Sequence, residues 1–154
     1  MDARAPVERT YRIANATPRE VYDVVVDFER YPRLFPEFKS VRVLESGEGH
    51  VRVEFRADIV LAVRYVLKLA LDPVALTVDW TFVEGEIVAD SRGAWRFREE
   101  APGAVRVDYK ASILVKAPLP GFIVRKATDA LVSASLPGMF ASIEREVRRR
   151  QSQA

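Results

Sequence analysis

Between Ile59 and Leu71 every odd position is apolar: Ile59, Leu61, Val63, Tyr65, Leu67, Leu69 and Leu71. The even positions hold Arg64, Lys68 and smaller apolar residues. Strand side chains alternate between two faces, so a strict period of two predicts a β-strand with one wholly apolar face. The usual strand is only ~5–6 residues long. One this long suits a strongly curved sheet that wraps around something.

The flanking segments repeat the pattern. Val51, Val53 and Phe55 alternate with Arg52, Glu54 and Arg56. After the Asp72-Pro73 turn come Val74, Leu76, Val78, Trp80 and Phe82 at every second position. Gly93, Trp95 and Phe97 share one face of a strand near 91–98, and Val105, Val107, Tyr109, Ala111 and Ile113 share one face of a strand over 104–114. Residues 7–14 and 40–46 complete the set. Gly47–Gly49 and Pro102-Gly103 read as hairpin turns, and hairpin connections imply antiparallel pairing. The alternate positions, including Arg52, Glu54, Arg64, Lys68, Asp79, Arg96 and Asp108, are charged. The sheet therefore has one dry face and one wet face.

Helical signals sit at both ends of this run. Thr17, Pro18 and Glu20 form a capping box with proline at the first helical position. The helix that follows spans about 18–29 and carries Val21, Val24, Val25 and Phe28 at helical spacing. Tyr31-Pro32 and Phe35-Pro36 leave room for one short helical turn. After Pro118-Leu119-Pro120-Gly121 a long helical pattern reaches about residue 149, with Phe122, Ile123, Ala127, Ala130, Leu131 and Ala134 on one stripe. Pro137-Gly138 predicts a kink within it. The stripe must bury itself on the dry face of the sheet.

The 154 residues make one expected domain, with a core over about 7–149. There is no cysteine, which excludes disulfides, thiol nucleophiles and cysteine metal sites. A single histidine, His50, excludes multi-histidine metal centres, and its place at a hairpin turn reads as solvated. No run approaches the ~18 apolar residues of a membrane span, and residues 1–10 lack the apolar core of a secretory signal. A cytoplasmic protein, at most peripheral to a membrane, is the expectation. The net charge of +2 gives no argument for nucleic acid.

The segment Ala16–Pro36 carries a capped helix followed by Asp27, Tyr31, Pro32, Leu34, Phe35 and Pro36, then the strand Val41-Arg42-Val43-Leu44-Glu45. With Gly93-Ala94-Trp95-Arg96-Phe97 and the C-terminal helical pattern, this resembles the START-like helix-grip superfamily. The similarity is to its polyketide cyclase and coenzyme Q-binding branch, which includes ubiquinone chaperones and ribosome-association-toxin-like proteins. Leu34 stands where that pattern often has an aromatic residue. The resemblance implies an α+β fold: a seven-stranded curved antiparallel sheet around a long C-terminal helix, with two short helices between strands 1 and 2. It also implies an elongated apolar cavity between sheet and helix.

The expected ligand-binding residues are Phe35, Phe55, Tyr65, Trp80, Trp95, Tyr109, Phe122, Ala130, Leu131 and Ala134. Tyr65 and Tyr109 stand out because a buried hydroxyl needs a partner. No cofactor, metal or catalytic residue is expected. The leading expectation is a carrier or chaperone for an isoprenoid quinone, lipid or polyketide-like molecule, acting as a monomer or weak dimer. One alternative is a polyketide cyclase, aromatase or dehydratase using Tyr65, Tyr109, Arg125 and Ser133. Another is a ribosome-associated interaction module. Tyr31–Phe38 reads either as a plug or as a lid with exposed aromatics that touches a membrane. The arginines at 145 and 148–150 read either as a solvated helix end or as an anionic-lipid contact. Asp27 is expected to pair with a nearby arginine or to cap the Tyr31-Pro32 turn.

Overall fold

Seven antiparallel strands form one sheet in the computed structural model, which describes residues 7–58, 62–116, 118–129 and 136–153. They are β1 (Val7–Ala14), β2 (Phe38–Gly47), β3 (His50–Asp58), β4 (Ala62–Asp72), β5 (Thr77–Glu86), β6 (Val88–Ala101) and β7 (Ala104–Val115). The helices are α1 (Pro18–Val25), α2 (Tyr31–Leu34), α3 (Gly121–Asp129) and α4 (Leu136–Gln151). A 3₁₀ turn, Phe28–Arg30, precedes α2. The sheet order is β1-β7-β6-β5-β4-β3-β2. Strands β2 to β7 follow one another as a meander, and β1 crosses over to pair with β7. This is the α+β helix-grip arrangement.

Local chemistry explains most boundaries. Thr17 and Glu20 close the capping box: the Thr17 hydroxyl accepts from Glu20 N at 3.2 Å, and the Glu20 carboxylate accepts from Thr17 N at 2.9 Å. The helix predicted to reach residue 29 stops at Val25. Three consecutive valines, 24–26, crowd the preceding turn with their branched Cβ atoms, and the chain resumes as the 3₁₀ turn. The C-terminal pattern contains two described helices, with Pro137 in the first turn of α4, where its missing N–H leaves nothing unpaired. Of the long alternating run, residues 59–61 lie outside the described residues and the rest is β4. Extra residues in β2 (Lys39, Leu44), β5 (Val83) and β6 (Ala89, Glu100) break the register and add the bends that curve the sheet.

The dry face packs Val53, Val78, Val105 and Val107 into one core with Ile143 and Val147 of α4. The wet face holds one surprise. Glu54 alternates outward yet is only 4% exposed. Arg64 Nε donates to one of its oxygens at 2.7 Å and Arg42 Nη2 to the other at 3.1 Å. These bonds, Arg64 first, hold its carboxyl below the usual range against the opposing effect of burial.

A second knot ties down the C-terminal helix. The buried carboxylate of Glu146 accepts from Arg149 Nε (2.8 Å) and Nη2 (2.7 Å) and from Arg150 Nε (2.9 Å). Arg150 Nη2 reaches on to Asp27 at 2.7 Å, so Asp27 does pair with an arginine. Arg148 donates to the carbonyls of Ala14 and Asn15. Arg148 and Arg150 thus fasten α4 to the end of β1 and to α1, while Arg149 bonds within α4 and stays exposed. The Arg149 bonds, helped by Arg150, pull the Glu146 carboxyl down to about 2 against desolvation. A depressed carboxylate contributes stability above about pH 4.5 and loses it as pH falls toward 2. Glu146→Gln is expected to lower stability at neutral pH by about 2 kcal/mol, below the full cost of breaking a buried pair because the arginines are part-exposed. Thermal melts across pH 2–7 check this. The variant should lose the part of the acid-side slope that this carboxylate supplies.

Candidate functional site

The inner face of the sheet and α4 do not meet everywhere. Between them, closed at one end by α2, lies a cavity of about 110 Å³. From the sheet, Phe55, Tyr65, Leu67 and Leu69 of β3 and β4 line one side. Trp80, Trp95, Tyr109 and Ala111 of β5, β6 and β7 line the other. Met139 and Ile143 of α4 lie over it. At the closed end stand Val25, Phe28, Tyr31, Phe35 and Phe38.

That end is a plug. Tyr31 and Phe35 are buried, with ring centroids 4.9 Å apart and edge to face, and Tyr31 also meets Phe38 at 5.7 Å. The Tyr31 hydroxyl donates to the carbonyl of Val25. Of the two readings of Tyr31–Phe38, the lid with exposed aromatics is the one this burial does not support. The notion that this segment offers aromatic rings to a membrane or a ribosome loses its basis for the same reason.

Aromatic packing holds the walls in place. Phe55 stacks on Tyr65 at 5.2 Å, and Trp95 meets Tyr109 at 4.6 Å. The register sets Gly93 opposite Trp80 and Ala111 opposite Gly93, and the Trp80 indole lies across the bare glycine. Trp80 Nε1 donates to Ser91 Oγ at 3.3 Å.

Polar atoms are few. Tyr31, Tyr65, Tyr109, Ser91 and Ser112 supply them, and among the described residues the wall carries no Asp, Glu, His, Lys or Arg. Burial pushes the phenols of Tyr65 and Tyr109 well up, and Tyr109 adds to the shift at Tyr65. Both stay protonated at any physiological pH. Neither hydroxyl has a hydrogen-bond partner among the described residues, and neither is a fully enclosed unpaired atom. Both residues line the cavity, where each hydroxyl is a donor that an acceptor can engage.

Six of the expected site residues, Phe35, Phe55, Tyr65, Trp80, Trp95 and Tyr109, stand together on this wall. Phe122 does not. It is 65% exposed in the first turn of α3, where no described element covers it. Ala130, Leu131 and Ala134 lie outside the described residues, as does Ser133. Arg125 is exposed on α3, away from the cavity wall. The sequence reading passed over Ser91 and Ser112. Ser112 occupies the outward phase of β7, so alternation argues against it. No metal-binding group of acidic, histidine or cysteine side chains occurs among the described residues, and none of the described helices is long and apolar enough to cross a membrane.

Comparison with known proteins adds three findings. A family profile described as polyketide cyclase / dehydrase and lipid transport matches residues 14–140. The actinorhodin polyketide synthase bifunctional cyclase/dehydratase of Streptomyces coelicolor is 30% identical over 133 residues, 84% of this chain but 42% of that protein. The chain thus spans less than half the length of that relative. The ribosome association toxin RatA of Pseudomonas aeruginosa is 30% identical over 75% of this chain and 83% of its own. Among solved structures, the Zhui aromatase/cyclase from Streptomyces sp. R1128 superposes with a TM-score of 0.80 at 21% identity, over 95% of this chain and 94% of that one. A protein from Thermus thermophilus gives 0.83 at 22% identity, over 95% and 99%. At such identities these two likenesses speak for the fold.

Proposed function

The chain belongs to the polyketide cyclase/dehydrase and lipid transport family, and from that premise we propose that it carries a hydrophobic small molecule whose ring-sized head sits between the sheet and α4. The observation behind this reading is the pair of phenols, Tyr65 and Tyr109, without a hydrogen-bond partner among the described residues, in a mostly apolar cavity whose described wall carries no charge. Apolar walls supply affinity and a few polar groups supply orientation. A cavity of about 110 Å³ compares with the engineered cavity of about 150 Å³ that admits benzene. One ring fits, and a tail would extend past the mouth. An isoprenoid quinone matches these terms: a flat ring to lie against Trp80 and Trp95, and carbonyl oxygens to accept from the two phenols.

The test is titration of the purified protein with menadione, a tailless quinone whose quinone ring would fill the cavity while its fused second ring extends past it, read by quenching of Trp80 and Trp95. Saturable quenching is expected. Tyr109→Phe removes one donor and is expected to weaken binding about fivefold, the value of one hydrogen bond of ~1 kcal/mol. Absence of quenching, together with nothing apolar co-purifying in native mass spectrometry, would overturn the carrier reading.

A second reading follows from the likeness to the Streptomyces cyclase/dehydratase. Phenols held protonated are donors to the oxygen of an enolising carbonyl, where charge develops. Turnover of a poly-β-ketone mimic that disappears in Tyr109→Phe, while menadione still binds, would favour an enzyme over a carrier.

A further inference from the structure

The segment from Lys116 to Lys126 differs from the rest of the surface. Leu119 is 40% exposed and Phe122 is 65% exposed, three positions apart at the start of α3. Pro118 and Pro120 set the turn that presents them. Lys116, Arg125 and Lys126 flank them in sequence, all exposed and none in an ion pair among the described residues. No acidic residue occurs between Asp108 and Asp129. The contrast with α4 is sharp, because there Arg148, Arg149 and Arg150 are all engaged by carboxylates or carbonyls.

Apolar tips flanked by cations complement a surface that is apolar inside and anionic outside. We propose that this surface of the protein docks on an anionic lipid bilayer, with Phe122 and Leu119 entering the interfacial layer and Lys116, Arg125 and Lys126 against the headgroups. A protein partner needs roughly 800 Å² of complementary surface on each side, which two projecting side chains do not offer. A bilayer asks only for a few inserted apolar groups and electrostatic attraction. Position adds a reason. Strand β7 carries Ala111 and Ile113 in the cavity wall and runs directly into this segment. A carrier docked here would bring its cavity close to the membrane. The docking itself stands on exposure and charge and does not require the carrier reading.

Vesicle flotation tests it. Vesicles of phosphatidylcholine alone are compared with vesicles of equal phosphatidylcholine and phosphatidylglycerol, at low and high sodium chloride. The protein is expected to float with the anionic vesicles at low salt and to be released at high salt. Phe122→Ser and the pair Arg125→Glu/Lys126→Glu are each expected to lower partitioning about tenfold or more. Circular dichroism melts and menadione quenching should stay unchanged, because exposed positions contribute little to stability. Equal flotation of all variants, or equal flotation on neutral and anionic vesicles, overturns the proposal. A dimer in sedimentation velocity that Phe122→Ser dissolves would also overturn it, by assigning the patch to a second copy. Flotation of the parent protein without any menadione quenching would be failure of the cavity reading alone, and menadione quenching without flotation on anionic vesicles would be failure of this one.

Discussion

Ala111→Phe is expected to abolish menadione binding, by about a hundredfold or more, while leaving the fold intact. Ala111 is 6% exposed, and its methyl group faces the cavity beside Tyr109 and Trp80. A Cβ is already present, so the backbone needs no adjustment. Ala111 lines the cavity of about 110 Å³, and the added ring is expected to enter it. It would occupy the volume that a bound ring needs. Excluding a ring's worth of apolar burial costs a ligand about 3 kcal/mol, which is about a hundredfold in Kd. Retained quenching in a variant whose circular dichroism and melting match the parent would sink the cavity as the binding site.

Gly93→Ala acts on stability, and by a different route. A Cβ at Gly93 would lie 2.1 Å from Trp80 Cζ2, 2.5 Å from Trp80 Cη2 and 2.5 Å from the carbonyl oxygen of Lys110. The indole is held from the far side by Ser91 Oγ, and the Lys110 carbonyl belongs to the β6–β7 ladder. Neither neighbour yields cheaply, and the strand must shift. Overpacking of this kind costs about 3 kcal/mol, or a fall in Tm of roughly 6–12 °C for a domain this size. Near-ultraviolet circular dichroism should report the displaced indole. Trp80→Leu in the same chain is expected to restore part of the loss, since the two positions share one volume. An unchanged Tm in Gly93→Ala would mean that Trp80 does not lie across Gly93 in solution.

The fold was legible because its signals are local. The alternation through Val63, Tyr65, Leu67 and Leu69 and the Thr17–Glu20 capping box each depend on neighbours in sequence. The walls of the cavity were legible for the same reason, since the inward phase of β3 to β7 already held Phe55, Tyr65, Trp80, Trp95 and Tyr109. What could not be read depends on partners far along the chain. Arg150 meets Asp27 across 123 positions, and no local pattern announces it. Glu54 sits in the polar phase of β3 and is buried only because Arg42 and Arg64 close over it. Phe122 belongs to an apolar helical stripe, yet its turn lies where no described element covers it. Periodicity tells which side of an element is apolar and not whether something covers it.

The pairing of β1 with β7 has a consequence for how the chain is made. Val7 meets Ala111 and Ala14 meets Ala104, so the first strand finds its only neighbour among the last strands to be synthesised. The β2-to-β7 meander can zip together hairpin by hairpin as it emerges. Strand β1 must wait for ~100 further residues, roughly 5–20 s at ordinary elongation rates. During that interval Ile13 lacks its β7 partner Val105, and closing so long a loop comes late for entropic reasons. The nascent chain thus passes through a stage with a formed meander and a loose N-terminal arm, and that arm is the segment most in need of protection before release from the ribosome.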